Sequence, residues 1–326
     1  MRAVVTGGAG FIGSHLIEAL VTRGDDVVCV DRPNASRRWI EGLPIRYLGI
    51  GLDDRDALIA AFRGADVVFH LAALTEAPRA ADYYRVNTEG TAKVLSAAAR
   101  HNGCAPRVIF LSSLAAIGPC RNGDLLGPDT VPFPLSHYGH SKLLAEAVIH
   151  AYADRVRTTI LRLPAVFGPR ERAVLKFFRM VKRGFAVTIG PWDREISMLY
   201  VKDLVQGAIA AADTPAAAGH TYCLAHPEPI SWRGFARATA RALRREPFLV
   251  SVPKSVARAI AYGIEVAAGV RRRVAILNRE RVRELTQHRW VCDPSRAIRE
   301  LGFRPRYSIP VGIAETATWY AEAQWL

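Results

Sequence analysis

The sequence predicts an α/β protein built on a doubly wound parallel sheet, followed by a smaller C-terminal α/β region that faces the substrate. Short apolar runs without polar alternation recur along the first half of the chain, which is typical of strands buried on both faces. Helical stretches separate these runs, and a glycine-rich turn joins the first run to the first helix. Together these observations indicate repeated βαβ units.

The expected elements follow from these runs in order. Strands are expected at residues 2–6, 26–30, 45–48, 66–71, 107–111 and 158–163, and helices at 11–23, 54–62, 87–101 and 137–153. These six strands complete a doubly wound sheet. Beyond Gly168-Pro169 the elements become shorter and Pro and Arg more frequent. We therefore expect a first domain at 1–169 and a substrate-binding region at 170–326, with returns to the first domain near 198–226.

Charge and cysteine content restrict the class of protein. Lys and Arg number 44 against 30 Asp and Glu, a formal net charge of +14. Arginines spread along the chain fit solvated faces; an anionic substrate or a lipid surface is the alternative, and no nucleic-acid-binding motif accompanies the charge.

The five cysteines form no C-x-x-C pair, so neither disulfides nor a metal site is expected. Because Met1-Arg2 leads directly into the first strand, a cytoplasmic protein is expected.

An apolar stretch at residues 259–270 bears on membrane binding. It is too short to span a bilayer, which takes about 20 residues. Lys254 and Arg258 precede it, and Arg271-Arg272-Arg273 follows it. Peripheral membrane association through this helix is therefore one interpretation. The favoured interpretation is a helix that packs into the core and carries a basic C-terminal cap.

The glycine-rich turn is the first candidate binding site. Gly7, Gly10 and Gly13, with Phe11 and Ile12, lie between the first strand and the first helix. Glycines there allow a pyrophosphate to approach the backbone, and the N–H groups at the start of the helix can face it. The sequence thus predicts a dinucleotide-binding Rossmann domain.

An acidic residue after the second strand indicates which dinucleotide is preferred. Asp31 follows the glycine turn by about twenty residues, where a carboxylate accepts hydrogen bonds from the adenosine ribose of NAD and repels the 2′-phosphate of NADP. Arg32, with Arg37 and Arg38 close behind, is the counter-indication, because any of the three can pair with a phosphate. We expect NAD in preference to NADP.

A tyrosine and a lysine four residues apart form the candidate chemical centre. On a helix, Tyr138 and Lys142 share one face. A neighbouring ammonium lowers the pKa of a tyrosine, which lets Tyr138 accept a proton from an alcohol as hydride leaves, or return it in reduction. Ser113 follows the fifth strand at the edge where doubly wound sheets bind ligands, and there it can hydrogen-bond the reacting oxygen. The structural alternative for Ser113 is a turn or helix cap.

These motifs together resemble the extended short-chain dehydrogenase/reductases, the NAD-dependent epimerase/dehydratase family, over essentially the whole chain. The matching residues are Thr6-Gly7-Gly8-Ala9-Gly10-Phe11-Ile12-Gly13, Asp31, His70-Leu71-Ala72-Ala73, Asn87-Thr88-Glu89-Gly90-Thr91, Ser112-Ser113, Tyr138 with Lys142, and Leu161-Arg162 with Gly168-Pro169. The stretches 112–119, 290–297 and 301–305 resemble the branch that includes 3β-hydroxysteroid dehydrogenases.

The resemblance implies roles for individual residues. Ser113, Tyr138 and Lys142 would form the catalytic triad, and Lys142 would also contact the nicotinamide ribose. The expected cofactor-contacting residues are Gly7, Gly10, Phe11, Ile12, Gly13, Asp31, Arg32, Leu52, Leu71, Ala72, Ala73, Asn87, Leu111, Ser112, Tyr138, Lys142, Pro164 and Val166. The expected substrate-contacting residues are Leu74, Ser113, Ala115, Ala165 and Arg172. Asn87 would stabilise the central sheet, or else cap a helix. The resemblance also implies a homodimer formed through a pair of helices.

The chain departs from the family pattern at the adenine. The family usually carries a Gly-Asp pair before an aliphatic residue, but here Ile50-Gly51 precedes Leu52. The adenine contact is therefore expected from backbone or from Asp53.

Two further departures concern the substrate. Ala165 stands where nucleotide-sugar enzymes carry Asn, and Ile196-Ser197 stands where they carry an Arg-Asp pair whose arginine holds the diphosphate. A diphosphate without a bidentate arginine loses its main orienting contact. Four other arginines are available as replacements on sequence grounds: Arg170, Arg172, Arg194 and Arg289.

Three functions remain open on these grounds. The leading hypothesis is an NAD-dependent dehydrogenase or ketone reductase that acts on a lipophilic, steroid-like or terpenoid secondary alcohol. The alternative is a nucleotide-sugar 4-epimerase or dehydratase that recycles its NAD. A third is a cofactor-sensing binding protein, which the intact Ser113, Tyr138 and Lys142 disfavour.

Overall fold

The computed structural model describes residues 1–100, 105–121, 123–270 and 278–326, and the side chains of all of these except 266–270. The strands are β1 (Arg2–Thr6), β2 (Asp26–Asp31), β3 (Arg46–Gly49), β4 (Val67–His70), β5 (Arg107–Ser113), β6 (Thr158–Leu163), β7 (Ala165–Phe167), β8 (Phe185–Ile189), β9 (Glu195–Ile196), β10 (Met198–Tyr200), β11 (Thr221–Cys223), β12 (Ile230–Ser231), β13 (Phe248–Val252) and β14 (Arg289–Trp290).

The helices alternate with these strands. They are α1 (Phe11–Arg23), α2 (Arg55–Phe62), α3 (Ala80–Tyr83), α4 (Gly90–Ala98), α5 (His137–Ala151), α6 (Ala173–Lys182), α7 (Val201–Asp213), α8 (Trp232–Leu243), α9 (Lys254–Val270), α10 (Arg279–Leu285), α11 (Ser295–Leu301) and α12 (Ile309–Glu322). A π-helical segment at Tyr84–Glu89 leads into α4, and 3-10 turns lie at Leu114–Ala116 and Pro215–Ala217.

Seven parallel strands form the central sheet, in the order β11-β6-β5-β4-β1-β2-β3. The predicted doubly wound class is confirmed. From β1 the chain proceeds outward through β2 and β3 and then returns to the other side of β1 as β4. The order therefore reverses between β1 and β4, and ligands of such sheets bind at the carboxyl edge beside this reversal.

The sheet has one strand more than the six predicted from the sequence. The additional strand, β11, has only three residues and pairs with β6 in parallel, Tyr222 beside Leu161. A run this short carries too little apolar periodicity to be distinguished from a loop, although residues 220–224 were expected to return to the first domain.

Helices cover both faces of the sheet, which explains the continuous apolar runs. On one face, α1 and α7 pack through residues such as Leu16 and Leu204. On the other, α2, α4 and α5 pack through residues such as Leu58 and Ile149. Strands β4 and β6 are consequently buried along their whole length.

The C-terminal half forms smaller sheets around an aromatic core. Strand β7 pairs with β10, β9 lies between β12 and β14, and β8 pairs with β13. Buried aromatic side chains from several elements fill the space between α6, α8 and α12, among them Phe178, Phe235 and Tyr320.

Helix α9 differs from its favoured interpretation as a core-packing helix. Ala257 and Ala261 are buried against Val282, but Val256 and Ile260 are exposed. The apolar residues of this helix therefore lie on two faces, only one of which is covered within the described residues. The predicted cap Arg271-Arg272-Arg273 lies outside the described residues. None of the described helices has both the length and the apolar composition needed to cross a bilayer.

Candidate active site

The predicted cofactor residues collect at one edge of the sheet. They follow the carboxyl ends of β1, β2, β4, β5 and β6, and because these strands are parallel, their ends lie side by side. The structure therefore brings together segments that are more than 150 residues apart in the chain, from Gly7 to Pro164 and Val166.

The glycine turn has the tight geometry that a diphosphate requires. Gly7 has φ of +73°, and its N–H donates to the carbonyl of Val30 at 2.8 Å. A Cβ on Gly13 would lie 2.3 Å from the Gly7 carbonyl oxygen, so a side chain there would force α1 away from the turn. Helix α1 begins at Phe11, and no side chain caps its N-terminus or supplies a negative charge in its first turn. Its free N–H groups thus fit an anionic diphosphate.

Asp31 lies at the end of β2 beside this turn. Its carboxylate accepts hydrogen bonds from the backbone N–H of Ala9 at 3.0 Å and of Arg32 at 2.8 Å. Two of the arginines that favour a 2′-phosphate are engaged elsewhere, because Arg37 lies over the Tyr47 ring and Arg38 over the Trp39 ring. Of these three arginines, Arg32 is the one whose exposed side chain forms no ion pair, hydrogen bond or ring contact among the described residues.

The adenine side departs from the expectation placed on Asp53. Its carboxylate forms an ion pair with Lys93 of α4, and this ammonium holds the pKa of the carboxyl below its usual range. Leu52 instead packs on α4, where a Cβ on Gly90 would lie 2.8 Å from its Cδ1. An adenine contact from this loop therefore remains an expectation for the backbone or for the apolar side chain of Leu52.

The loop after β4, which contains Leu71, Ala72 and Ala73, is anchored by Asn87. The Asn87 amide donates to the Leu74 carbonyl at 3.0 Å and to the Ser141 hydroxyl at 2.9 Å, and its oxygen accepts from the Leu74 N–H at 2.7 Å. Asn87 lies within the π-helical segment, and the hydrogen bonds of its side chain go to Leu74 and Ser141 rather than to a helix N-terminus. It joins the loop to α5 instead.

His70, which belongs to one of the family-like motifs in the sequence, has a structural role. It is fully buried, and its ring nitrogens lie 2.8 Å from the Thr6 hydroxyl and 3.0 Å from the Thr91 hydroxyl. Burial lowers the pKa of His70 to about 3, with a smaller contribution from Lys142 in the same direction. A neutral His70 therefore links the end of β1 to α4.

Tyr138 reaches the edge of the sheet because α5 approaches the turn after β5 closely. A Cβ on Gly139 would lie 2.3 Å from the Ala115 carbonyl oxygen, so only glycine permits this contact. Ser136 caps the helix, its hydroxyl accepting from the Gly139 N–H at 3.1 Å. Ser113 caps the 3-10 turn in the same way, its Oγ accepting from the Ala115 N–H. Ser113 thus has the capping role that was its structural alternative, and it also interacts with Tyr138.

The pKa of Tyr138 shifts in the direction opposite to the one expected. Burial raises it to about 12, and the interaction with the Ser113 hydroxyl offsets this only in part. The sequence predicted a pKa lowered by Lys142, but that ammonium lies elsewhere in the structure. The phenol is consequently the stable form of Tyr138 at neutral pH.

Lys142 points to the end of β5. Its ammonium donates to the Leu111 carbonyl at 2.6 Å and lies 4.0 Å from the centre of the Phe110 ring. The side chain is 2% exposed, and burial lowers its pKa from 10.5 to about 7, while Glu146 acts in the opposite direction. Helical spacing alone could not predict that a backbone carbonyl holds this ammonium.

A buried ion pair supports this helix and was not predicted. Arg162 of β6 donates to both carboxylate oxygens of Glu146, at 2.8 and 3.2 Å, and also to the carbonyls of Gly127 and Pro128. Ser112 donates to the same carboxylate. The side chain of Ser112, an expected cofactor contact, is therefore committed to the ion pair, although its backbone remains at the edge.

A second carboxylate, that of Glu284, lies near the start of α5 and was also missed. Its Oε1 accepts from the Ser136 hydroxyl at 2.6 Å, and the neighbouring Glu280 accepts from the His137 N–H at 3.1 Å. Burial raises the pKa of Glu284. Helix α10 therefore covers the end of α5 that carries Tyr138, a contact across 148 residues that no local pattern indicates.

The expected substrate residues fall into two groups. Leu74, Ser113 and Ala115 are partly exposed around Tyr138 and α5, and Ala165 is exposed at the start of β7. Arg172 lies in a different environment, with its guanidinium 5.3 Å from the centre of the Trp325 ring and close to Arg38. The structure therefore does not bring Arg172 to Tyr138.

Comparison with known proteins identifies the class that this fold and site define. The model of the NAD dependent epimerase/dehydratase family matches residues 3–225, so this chain belongs to that family and is an NAD-dependent enzyme.

Relatives in this family include several lipid enzymes by name. A ceramide reductase of Caulobacter vibrioides is 26% identical and covers 99% of this chain and 95% of its own length. A 3beta-hydroxysteroid-dehydrogenase/decarboxylase isoform 1 of Arabidopsis thaliana is 28% identical, covering 96% and 78%. A 3 beta-hydroxysteroid dehydrogenase/Delta 5-->4-isomerase of Mycobacterium tuberculosis is 31% identical, covering 74% and 69%.

A solved structure shares the fold over the whole chain. The UDP-glucose 4-epimerase of Thermus thermophilus, in complex with NAD, superposes with a TM-score of 0.80, at 24% identity and with 99% of this chain and 100% of that chain covered. At this identity the likeness concerns the fold.

Proposed function

We propose that this enzyme transfers a hydride between NAD and a lipophilic secondary alcohol or ketone. One observation carries the proposal: each of the four arginines named above as replacements for the diphosphate clamp is engaged elsewhere. A charged diphosphate needs such a partner, whereas an apolar alcohol does not.

Two of the four arginines are held by hydrogen bonds in the partly buried interior. Arg170 donates to the Ser14 hydroxyl at 3.0 Å and pairs with Glu18. Arg194 is 3% exposed and donates to the Thr188 hydroxyl and to the carbonyls of Pro191 and Leu285.

The other two arginines are also engaged in contacts within the protein and are not free to hold a diphosphate. Arg289 pairs with Glu195 at 3.1 Å and donates to the Gly123 carbonyl. Arg172 stacks on Trp325. Recruiting any of these arginines to a substrate would break the contacts that hold it.

The positions that replace the diphosphate clamp support the same conclusion. Ile196 packs in the aromatic core of the C-terminal half, and the Ser197 hydroxyl accepts from the Cys292 N–H at 3.1 Å. Ala165 offers no polar group. The ceramide and steroid enzymes among the relatives are consistent with an apolar substrate, which we propose for this chain as well.

The protonated phenol of Tyr138 suits the role of proton donor. In ketone reduction, Tyr138 donates its proton to the substrate oxygen as negative charge develops there, and Ser113 orients that oxygen. Bound NAD supplies the hydride acceptor, and in its reduced form the donor, at the carbon that bears this oxygen. In the oxidative direction the phenolate form of Tyr138 accepts the alcohol proton. A protonated Lys142 that exchanged the Leu111 carbonyl for the phenol would favour this phenolate.

We further propose that residues 1–169 bind the dinucleotide and that 170–326 determine the substrate. We place the protein in the cytoplasm, in keeping with the free thiols of Cys29, Cys120, Cys223 and Cys292. A homodimer through α4 and α5 would cover Leu144, which is exposed on α5. Sedimentation velocity of Leu144→Glu tests this dimer, since the added charge is expected to yield monomers.

A substrate panel tests the proposed activity. The enzyme is incubated with NAD and either a 3β-hydroxysteroid, a terpenoid alcohol or UDP-glucose, and reduced cofactor is followed by absorbance while sugar products are followed by chromatography. We expect net formation of reduced cofactor with at least one lipophilic alcohol, and no turnover of UDP-glucose. Epimerised sugar without net cofactor reduction would overturn the proposal.

A further inference from the structure

Strand β13 exposes apolar side chains at a free edge of the fold. It pairs in parallel only with β8 among the described residues, and Phe248 lies beside Phe185 with the ring centres 6.4 Å apart. The Phe248 side chain is 76% exposed, and Phe185, Leu249 and Val250 are also exposed. Successive strand residues point to opposite sides, so Phe248 and Val250 share one side with Phe185, whereas Leu249 lies on the other. Exposed apolar surface of this kind marks a contact site.

Helix α9 packs on the same side of β13 as Phe248, because Val252 lies against Ala257 and Ala261. It follows β13 after Pro253, and its outer residues Val256, Ile260 and Ile264 recur at intervals of four, so they form one stripe along the helix. Ile260 is 49% exposed, whereas Ala261, about 100° further around the helix, is fully buried. We call Phe185, Phe248 and Val250, together with Val256, Ile260 and Ile264 of α9, the β13–α9 face.

Basic side chains lie next to the β13–α9 face. Arg244 and Arg245 belong to the turn between α8 and β13, and together with Arg237 and Arg241 of α8 they line an open cleft beside Leu249, on the other side of β13. None of these four guanidinium groups forms an ion pair or a side-chain hydrogen bond within the described part of the chain.

Helix α9 also carries cations without partners. Lys254 and Arg258, on the first turns of this helix, are likewise exposed and unpaired within the described residues. Among the residues that line the cleft, Glu246 is the one carboxylate.

We propose that the β13–α9 face binds the surface of an anionic phospholipid bilayer. Apolar side chains on this face would enter the interface between headgroups and acyl chains, and the neighbouring arginines and lysines would pair with lipid phosphates. A second copy of the chain is a poor occupant, because a self-interface would oppose unpaired cations of the same sign. Nucleic acid would use the cations but leave the apolar side chains in water.

The β13–α9 face is connected to the candidate active site through helix α10. Glu265 of α9 pairs with Arg279 at the start of α10, at 2.6 Å. Helix α10 in turn holds the start of α5 through Glu284 and Ser136, next to Tyr138. The inference goes beyond the proposed activity, and it is tested by binding alone, without turnover.

Vesicle co-sedimentation of the purified full chain tests the proposal. The vesicles are phosphatidylcholine alone or an equimolar mixture with phosphatidylglycerol. We expect sedimentation with the mixed vesicles only, weakened by added salt. The variant Phe248→Ser/Val250→Ser is expected to bind these vesicles at least about tenfold more weakly, since its apolar contribution is lost. Its matched control is Val131→Ser/Val311→Ser, which removes two exposed valines outside this face and is expected to bind normally.

The charge contribution has its own pair of variants. Arg244→Gln/Arg245→Gln is expected to lose the preference for phosphatidylglycerol, whereas Arg55→Gln/Arg299→Gln, on α2 and α11, is expected to keep it. All substituted side chains are exposed, and thermal unfolding of each variant verifies folding.

Four results would overturn the proposal. One is the absence of sedimentation with anionic vesicles. Another is equal binding of anionic vesicles by the wild type and the Phe248→Ser/Val250→Ser variant. A third is binding of the wild type to duplex DNA as tightly as to vesicles, which would assign the cations to nucleic acid. The last is a loss of dimers rather than of vesicle binding in that variant, which would assign the face to a second copy.

Discussion

The carboxylate of Glu146 and the guanidinium of Arg162 form a buried ion pair one helical turn beyond Lys142. Two hydrogen bonds, of 2.8 and 3.2 Å, join them, and Arg162 extends the contact to the carbonyls of Gly127 and Pro128. The pair therefore ties α5, which carries Tyr138 and Lys142, to β6 and to the loop after the 3-10 turn.

Removing one partner of this pair is expected to be costly. Arg162→Met leaves a buried carboxylate unpaired, which lowers the free energy of unfolding by about 3–5 kcal/mol. The double variant Glu146→Leu/Arg162→Met is expected to recover most of that loss, because no charge remains buried. Denaturant unfolding measures both. Asp193→Asn, which breaks the exposed pair with Arg233, is the control and is expected to cost less than about 1 kcal/mol. A double variant no more stable than Arg162→Met would contradict the account.

Gly139 is expected to be essential for turnover although it has no functional group. In Gly139→Ala the new Cβ would lie 2.3 Å from the Ala115 carbonyl, so α5 must move away from the turn that carries Ser113. We expect kcat to fall by about 100-fold or more, because a small misplacement of a proton donor has this effect. Gly127→Ala is the matched control, since its Cβ would meet nothing within 4 Å. Normal turnover by Gly139→Ala would refute the close approach.

Asp31 is expected to determine the preference for NAD over NADP. Asp31→Ala removes the negative charge at the end of β2 that repels a 2′-phosphate. The ratio of kcat/KM for NAD to that for NADP is expected to fall by about tenfold or more. Asp26→Ala, at the opposite end of the same strand, retains the preference if the effect is local. An unchanged ratio in Asp31→Ala would assign the preference to other residues.

Burial of Lys142 predicts a pH dependence of stability. Its pKa is lowered from 10.5 to about 7 by burial, so between these values the unfolded chain binds more protons than the folded one. The contribution of Lys142 to the free energy of unfolding therefore increases with pH from about 7 to about 10, by up to about 1.4 kcal/mol per pH unit. Below pH 7 this contribution is constant.

Comparison with a variant isolates this contribution. The free energy of unfolding of the wild type minus that of Lys142→Met is measured without added cofactor and is expected to increase with pH above 7. The same difference for Lys176→Met, an exposed lysine of α6, is expected to be flat. Parallel curves for wild type and Lys142→Met would show that Lys142 keeps its ordinary pKa.

Local sequence patterns predicted the features that depend on neighbouring residues. The glycine turn from Gly7 to Gly13, the acid at Asp31 and the tyrosine and lysine of α5 are each contained in one short segment, and the structure places them at one edge of the sheet.

Features that depend on packing between distant segments were not predictable in this way. The direction of the Lys142 side chain depends on a carbonyl of β5, and the burial of Arg194 depends on α10. Glu284 reaches Ser136 across 148 residues. The exposure of Ile260 likewise depends on which neighbours cover α9. The sequence shows only that this helix is apolar, which is why it predicts a position in the core.

The most direct measurement of the central claim is a comparison of wild type with Tyr138→Phe, using a lipophilic alcohol that the wild type oxidises. Removing the hydroxyl deletes the proposed acid and base and leaves the glycine turn intact. We predict that turnover falls by about 100-fold or more while the dissociation constant for NAD, measured by fluorescence titration, stays nearly unchanged. Turnover equal to that of the wild type would contradict the assignment of Tyr138 as the acid and base of this enzyme.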